Sequence, residues 1–75
     1  MTSQDHVVTL ISKNFPIVKT DRLSFSEPLE GQGLDSLDLS TLLFAVEEAF
    51  GRRIPTDRVS SLRSIDDIAA FIDES

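Results

Sequence analysis

Among the 75 residues, the stretch Gly33-Leu34-Asp35-Ser36-Leu37-Asp38 holds the side chain with the strongest claim to chemistry. Ser36 sits between Asp35 and Leu37, just after Gly31 and Gly33 and just before an apolar-periodic run. A serine nucleophile needs a neighbouring base, and that base needs a third group to orient it. The chain's one histidine, His6, lies far from Ser36 in sequence, and no oxyanion-hole sequence accompanies the serine. Self-catalysis by Ser36 is therefore not expected, and His6 reads as an exposed or partly buried side chain of a first helical turn. The absence of cysteine excludes disulfides, thiolate metal ligands and thiol nucleophiles together. A single histidine leaves no cluster with metal-ligand spacing, so no metal site is expected.

Ser36 must be positioned by the elements around it, and the apolar spacing predicts helices. Val7, Leu10, Ile11 and Phe15 recur on one helical face from about Ser3, and Pro16 should end that helix near Asn14 or Phe15. Leu39, Leu42, Leu43, Val46 and Phe50 define the second helix, closed at Gly51, a natural residue for a left-handed C-cap. Ile65, Ile68, Ala69 and Ile72 define the last, with Ser64 as its cap and Asp66 and Asp67 in the first turn, where the helix dipole favours acids. Between these two, Thr56 or Asp57 offers a cap for a single turn around Arg58 to Ser61. The long polar connection from helix one to helix two is broken by Pro28, Gly31 and Gly33, and its Leu23, Phe25 and Leu29 can pin it across the helix ends. The expected fold is all-α: a small four-helix bundle, three main helices plus one short one, with a long loop between helices one and two, forming a single domain over residues 1–75.

At the head of helix two, Ser36 and Asp35 compete for the cap. Asp35 followed three residues later by Asp38 has the form of an acidic capping box, and if Asp35 caps, Ser36 becomes the first helical residue with an unemployed hydroxyl. At about 100° per residue with Ser36 at zero, the apolar stripe falls between roughly 240° and 340°. Leu37 near ~100° and Phe44 near ~80° lie almost opposite it, beside Ser36, Ser40, Glu47 and Glu48. Two aligned hydrophobes flanked by carboxylates suggest a docking surface with an apolar centre and an acidic rim. The competing reading has the long loop or the short third helix folded over them.

Composition narrows the partners. A chain this short buries only about 60 % of its unfolded surface, so deep catalytic pockets are not expected. Thirteen acids against seven bases give a net charge of −6, which argues against nucleic acid or an anionic membrane and for protein partners with basic patches. The start MTSQDHVV has no basic segment followed by an apolar stretch, and the longest uninterrupted apolar run is Leu42 to Val46. A soluble, cytoplasmic, monomeric chain is expected.

Gly33-Leu-Asp-Ser-Leu37, followed by Glu47-Glu-Ala-Phe-Gly51 and then Ile54-Pro55, resembles the acyl carrier proteins along nearly the whole chain, including the long first loop and the Ser64-Ile65-Asp66-Asp67 start of the last helix. The resemblance implies that Ser36 receives 4′-phosphopantetheine from coenzyme A through a phosphopantetheinyl transferase, whose groups supply the activation that Ser36 lacks. It implies that Asp35 helps the transferase hold its metal ion and that Leu37, Asp38, Phe44, Glu47 and Glu48 form the recognition face of helix two. The chain is then a free-standing carrier and not an enzyme. It holds acyl intermediates as thioesters, loaded by an acyl ligase or transferase and passed to a synthase or other acyl-processing enzyme. Ser40 and Thr41 stand where many fatty-acid carriers have a mid-helix acid, Phe44 is bulkier than usual, and Arg52, Arg53, Arg58 and Arg63 add positive charge. These departures point toward a specialised fatty-acid or polyketide type pathway. An aminoacyl or peptidyl carrier and a helical adaptor without cofactor are the alternative readings.

Overall fold

The computed structural model describes residues 2–74. Helix α1 spans Ser3–Asn14, α2 Ser36–Phe50, α3 Thr56–Val59 and α4 Ile65–Asp73, with a 3-10 turn over Thr20–Arg22 in the long connection. Among the described residues there is no strand, only an isolated bridge between Glu30 and Leu34. The all-α bundle with one short helix is as expected.

Each long helix begins where a side chain can take up its free amide groups. Thr2 caps α1: its hydroxyl accepts from the Asp5 amide at 3.1 Å while the Asp5 carboxylate accepts from the Thr2 amide at 3.1 Å. The bond from the Thr2 amide foremost, and the Thr2 side chain after it, hold the Asp5 carboxyl below its ordinary pKa. Ser64 and Asp67 make the same reciprocal pair at α4. At the other end, Phe15 closes α1 just before Pro16, whose ring opposes a helical conformation in the preceding residue. Gly51 ends α2 at φ 64°, a left-handed conformation that glycine adopts without steric cost.

The buried faces meet around α1, which packs against both α4 and α2. Val7, Ile11, Leu42, Ile65 and Ile68 are fully inaccessible and form the centre of the core. Polar bonds fasten the seam between α1 and α4, where the Ser3 hydroxyl donates to Asp73 and the Gln4 amide donates to Asp66 at 2.8 Å.

The long connection is pinned by Leu29, fully buried, whose amide donates to the Arg63 carbonyl at 2.8 Å. Leu23 packs half-buried against the core. Phe25, expected to act with them, keeps its side chain exposed; at that point the loop is held by the Asp66 amide, which donates to the Phe25 carbonyl at 3.0 Å. Gln32 organises the loop interior. Its side-chain oxygen accepts from the Ser24 amide at 2.7 Å, and its NH2 group donates to the carbonyls of Ser24, Glu27 and Pro28 at 3.3, 3.2 and 2.9 Å. One side chain thus satisfies backbone groups that an irregular loop otherwise leaves to water.

The short helix departs from expectation. It starts at Thr56 rather than near Arg58, and neither Thr56 nor Asp57 caps it; Pro55 occupies the cap position with no side-chain bond. The backbone of Pro55, at φ −61° and ψ 144°, already has the extended form of a helix cap, and its carbonyl accepts from the Arg58 amide at 2.9 Å, closing the turn two residues early.

Candidate functional site

The head of α2 settles the competition between Asp35 and Ser36. Asp35 is the cap: its carboxylate accepts from the Asp38 amide at 2.8 Å, and the Asp38 carboxylate accepts from the Asp35 amide at 3.2 Å. Ser36 is therefore the first helical residue. Its side chain is exposed, and its hydroxyl has no hydrogen-bond partner among the described residues. One turn on, the hydroxyls of Ser40 and Thr41 donate back to the carbonyls of Ser36 and Leu37, both at 3.2 Å. Those two hydroxyls are thus absorbed by the helix itself.

Leu37 is 76 % exposed and Phe44 61 % exposed, so neither the long loop nor α3 folds over them. Both stand on the outer face of α2, with Leu42, Leu43 and Val46 buried on the opposite side. The acids around them differ in how free they are. Asp38 serves the cap, and the half-buried Glu47 accepts from the Ile54 amide at 2.6 Å, tying the chain after α2 back to the helix. Glu48 is exposed and lines a depression with Phe44, Arg52 and Arg53.

Two shallow depressions run between α2 and α3 and share Ser40, Leu43 and Val59. One, of about 290 Å³, reaches Phe44, Glu47 and Ile54. The other, of about 200 Å³, reaches Ser36, Leu39, Glu30, Ser60 and Arg63. Sequence reasoning had no means of placing Arg63 in the same depression as Ser36, since only the packing of the loop and α3 brings both to its lining. The arginines it grouped as added positive charge separate in space. Arg52 lies 4.5 Å over the Phe71 ring and donates to the Phe71 carbonyl at 2.8 Å. Arg58 lies 5.1 Å from the same ring and makes two bonds to Glu74 at 3.0 and 2.7 Å. That pairing raises the pKa of Arg58 and lowers that of Glu74, the hydrogen bonds being the larger cause in each. His6 sits away from Ser36, edge-on to Phe50 at 5.6 Å between ring centres. Among the described residues no helix is long and apolar enough to cross a membrane.

The head of α2 thus presents an acidic cap, an exposed serine whose hydroxyl is unbonded among the described residues, and a following exposed leucine. The sequence pattern of the phosphopantetheine attachment site family matches residues 5–72, and the chain belongs to that family, the acyl carrier proteins and their kin. It is 39 % identical over 70 residues to the acyl carrier protein of Campylobacter hominis, covering 93 % of this chain and 84 % of that one. It is 31 % identical over 74 residues to the acyl carrier protein of Chlamydia trachomatis, covering 99 % and 96 %. To the acyl carrier protein of Zymomonas mobilis it is 44 % identical over 46 residues, which span 61 % of this chain and 59 % of that relative. The family's cofactor is a covalently attached 4′-phosphopantetheine. The helix head fits such a group: esterifying the Ser36 hydroxyl breaks no existing bond, and a phosphate there meets the positive end of the α2 dipole.

Proposed function

We propose that Ser36 is the residue that carries the 4′-phosphopantetheine arm, and that the chain is a cytoplasmic, monomeric carrier of acyl intermediates rather than a catalyst. The observation that bears most of this reading is the free, exposed hydroxyl at the first position of α2, inside the matched region. In attachment, the Ser36 oxygen forms a bond to the pantetheine-side phosphorus of coenzyme A as the pyrophosphate bond breaks. Adenosine 3′,5′-bisphosphate leaves, and the hydroxyl proton passes to a base on the transferase. When bound, the arm supplies a terminal thiol, which the chain lacks, and holds an acyl group there as a thioester. The protein supplies address and orientation. Tethering raises the effective concentration of cargo wherever a partner docks, so weak docking suffices.

Asp35 orients the first turn through its cap and stands next to Ser36, in reach of a magnesium ion brought by the transferase. Leu37 and Phe44 form the apolar centre of the docking face, with Asp38, Glu47 and Glu48 at its rim. The partners are a phosphopantetheinyl transferase, a loading ligase or transferase, and a synthase or downstream acyl-processing enzyme. The arginines beyond α2 and the hydroxyls at Ser40 and Thr41 support service in a specialised pathway.

The test is incubation with coenzyme A, magnesium and a broad-specificity transferase, followed by intact mass measurement. The natural chain should gain one phosphopantetheinyl group and Ser36→Ala none. No gain on the natural chain would leave the helical adaptor as the surviving reading; a gain that persists in Ser36→Ala would place the arm elsewhere.

A further inference from the structure

We propose that Arg63 is a positioning residue for the arm: its guanidinium pairs with the phosphodiester formed at Ser36 and draws the arm toward the α3 side of the helix head. The inference rests on the assignment of Ser36 above.

A phosphodiester on Ser36 adds negative charge where Asp35, Asp38 and Glu30 already stand, so the identity of the nearest cation decides which way it leans. Of the four arginines in the second half of the chain, two are committed elsewhere, Arg52 to Phe71 and Arg58 to Phe71 and Glu74. Arg53 lies at the far end of α2, in the depression with Phe44, Glu48 and Gly51. Arg63 alone of the four lines the depression that also contains Ser36.

Arg63 is also held ready. Its backbone carbonyl accepts from the Leu29 amide at 2.8 Å, and its own amide donates to the Asp67 carboxylate at 3.2 Å. Its side-chain Nε–H donates to the Ser60 carbonyl at 3.0 Å, which fixes the stem and leaves the terminal NH2 groups. Glu30 lines the same depression, yet among the described residues the one ion pair is that of Arg58 with Glu74. A planar guanidinium with free terminal donors is the side chain best shaped for a phosphate. Because Arg63 is exposed, the pairing must weaken with salt.

The test uses the loaded protein and reads spectra rather than turnover. In the natural chain, loading should shift the Arg63 Nε–H resonance and leave those of Arg53 and Arg58 in place; the Ser36→Ala chain treated identically should show no shift. The phosphorus resonance of the loaded chain should move as ionic strength rises from ~0.01 M to ~1 M, which shortens the screening length from about 30 Å to about 3 Å. Arg63→Gln should lose most of that response, Arg63→Lys should retain part of it, and Arg53→Gln should retain all of it. A response unchanged in Arg63→Gln overturns the inference. Should Arg63→Gln fail to fold, the loading shift in the natural chain decides, and an unmoved Arg63 signal overturns it. A chain that intact mass shows to be unloaded removes the Ser36 assignment and this inference together, whereas a loaded chain with an indifferent Arg63 removes this one alone.

Discussion

Truncating two leucines of α2 separately tests whether its outer face is reserved for partners. Leu37 is 76 % exposed and Leu42 is fully buried, although they lie little more than one turn apart. Full burial of a leucine stabilises by about 1.5–3 kcal/mol, and only about a quarter of Leu37 is covered, so Leu37→Ala should cost roughly 0.4–0.7 kcal/mol. The slightly better helix propensity of alanine offsets part of even that. Leu42→Ala removes the whole transfer term and leaves a cavity, about 2–5 kcal/mol. In a domain of this size, total stability is on the order of 4–11 kcal/mol, so the second change threatens folding and the first does not. Urea unfolding followed by helical circular dichroism measures both. Thermal midpoints should fall by about 2–5 °C for Leu37→Ala and by 10 °C or more for Leu42→Ala, on a scale of about 4–8 °C per kcal/mol. The functional arm is the rate of conversion by a transferase under subsaturating conditions. Truncating an apolar anchor at the centre of a docking face costs more than about 1 kcal/mol, so kcat/KM should fall at least about fivefold for Leu37→Ala. Equal destabilisation by the two substitutions would place Leu37 in the core. Unchanged stability with unchanged conversion would show that its exposure serves no partner.

The two acids at the end of α2 should separate by the same logic. Glu47→Ala leaves the Ile54 amide without its acceptor in a half-buried setting and should lower the urea midpoint by an amount corresponding to about 1–3 kcal/mol, while Glu48→Ala should change stability by less than about 0.5 kcal/mol and weaken partner binding at low salt. Glu74 gives a pH test. Its folded pKa is depressed below the ordinary 4.5 by Arg58, so its contribution is present in full above that value and is lost as pH falls through the lower folded value. The natural chain should therefore be more stable than Glu74→Gln at pH 7, with the gap closing on acidification below about pH 4.5, and a gap that is constant with pH would show that the Arg58 pairing contributes nothing.

Local signals carried most of the fold. Pro16, Gly51 and Ser64 mark helix ends because capping and chain-breaking depend on residues within one turn of each other, and the structure places the boundaries of α1, α2 and α4 accordingly. Asp35 and Ser36 could not be ranked from sequence, since both are good caps; the reciprocal bond from Asp38 decides between them. The sequence does not fix the start of α3, because four residues with no buried member carry no apolar period to read. Gln32 gave no sequence signal at all. Its role exists only once the loop has curled its own carbonyls around it. The angles set Leu37 and Phe44 opposite the buried stripe of α2, but whether the loop or α3 covers them is decided only by their exposure in the folded chain. Glu47, by contrast, reads as part of a solvated rim, and only the return of the chain at Ile54 reveals that its carboxylate is engaged.

The two sides of the helix head are held by different kinds of force. The face bearing Leu37 and Phe44 belongs to α2, which is anchored through Leu42, Leu43 and Val46 in the common core with α1 and α4. The opposing wall of the depressions belongs to α3, which buries no residue and leaves Val59 41 % exposed. Its own side chains hold it through the Arg58 pair with Glu74 and the stacking of Arg58 on Phe71, while the buried Ile54 and Leu62 on either side of it belong to the core. Exposed ion pairs and stacked cations are individually weak in water, whereas buried leucines are not. Loosening of the four residues of α3 should therefore cost less than global unfolding, within the reach that the buried Ile54 and Leu62 on either side allow. The proposed partner face thus lies on a helix anchored in the core, and the proposed attachment serine lies in a depression whose other wall includes Val59 of the more weakly held α3.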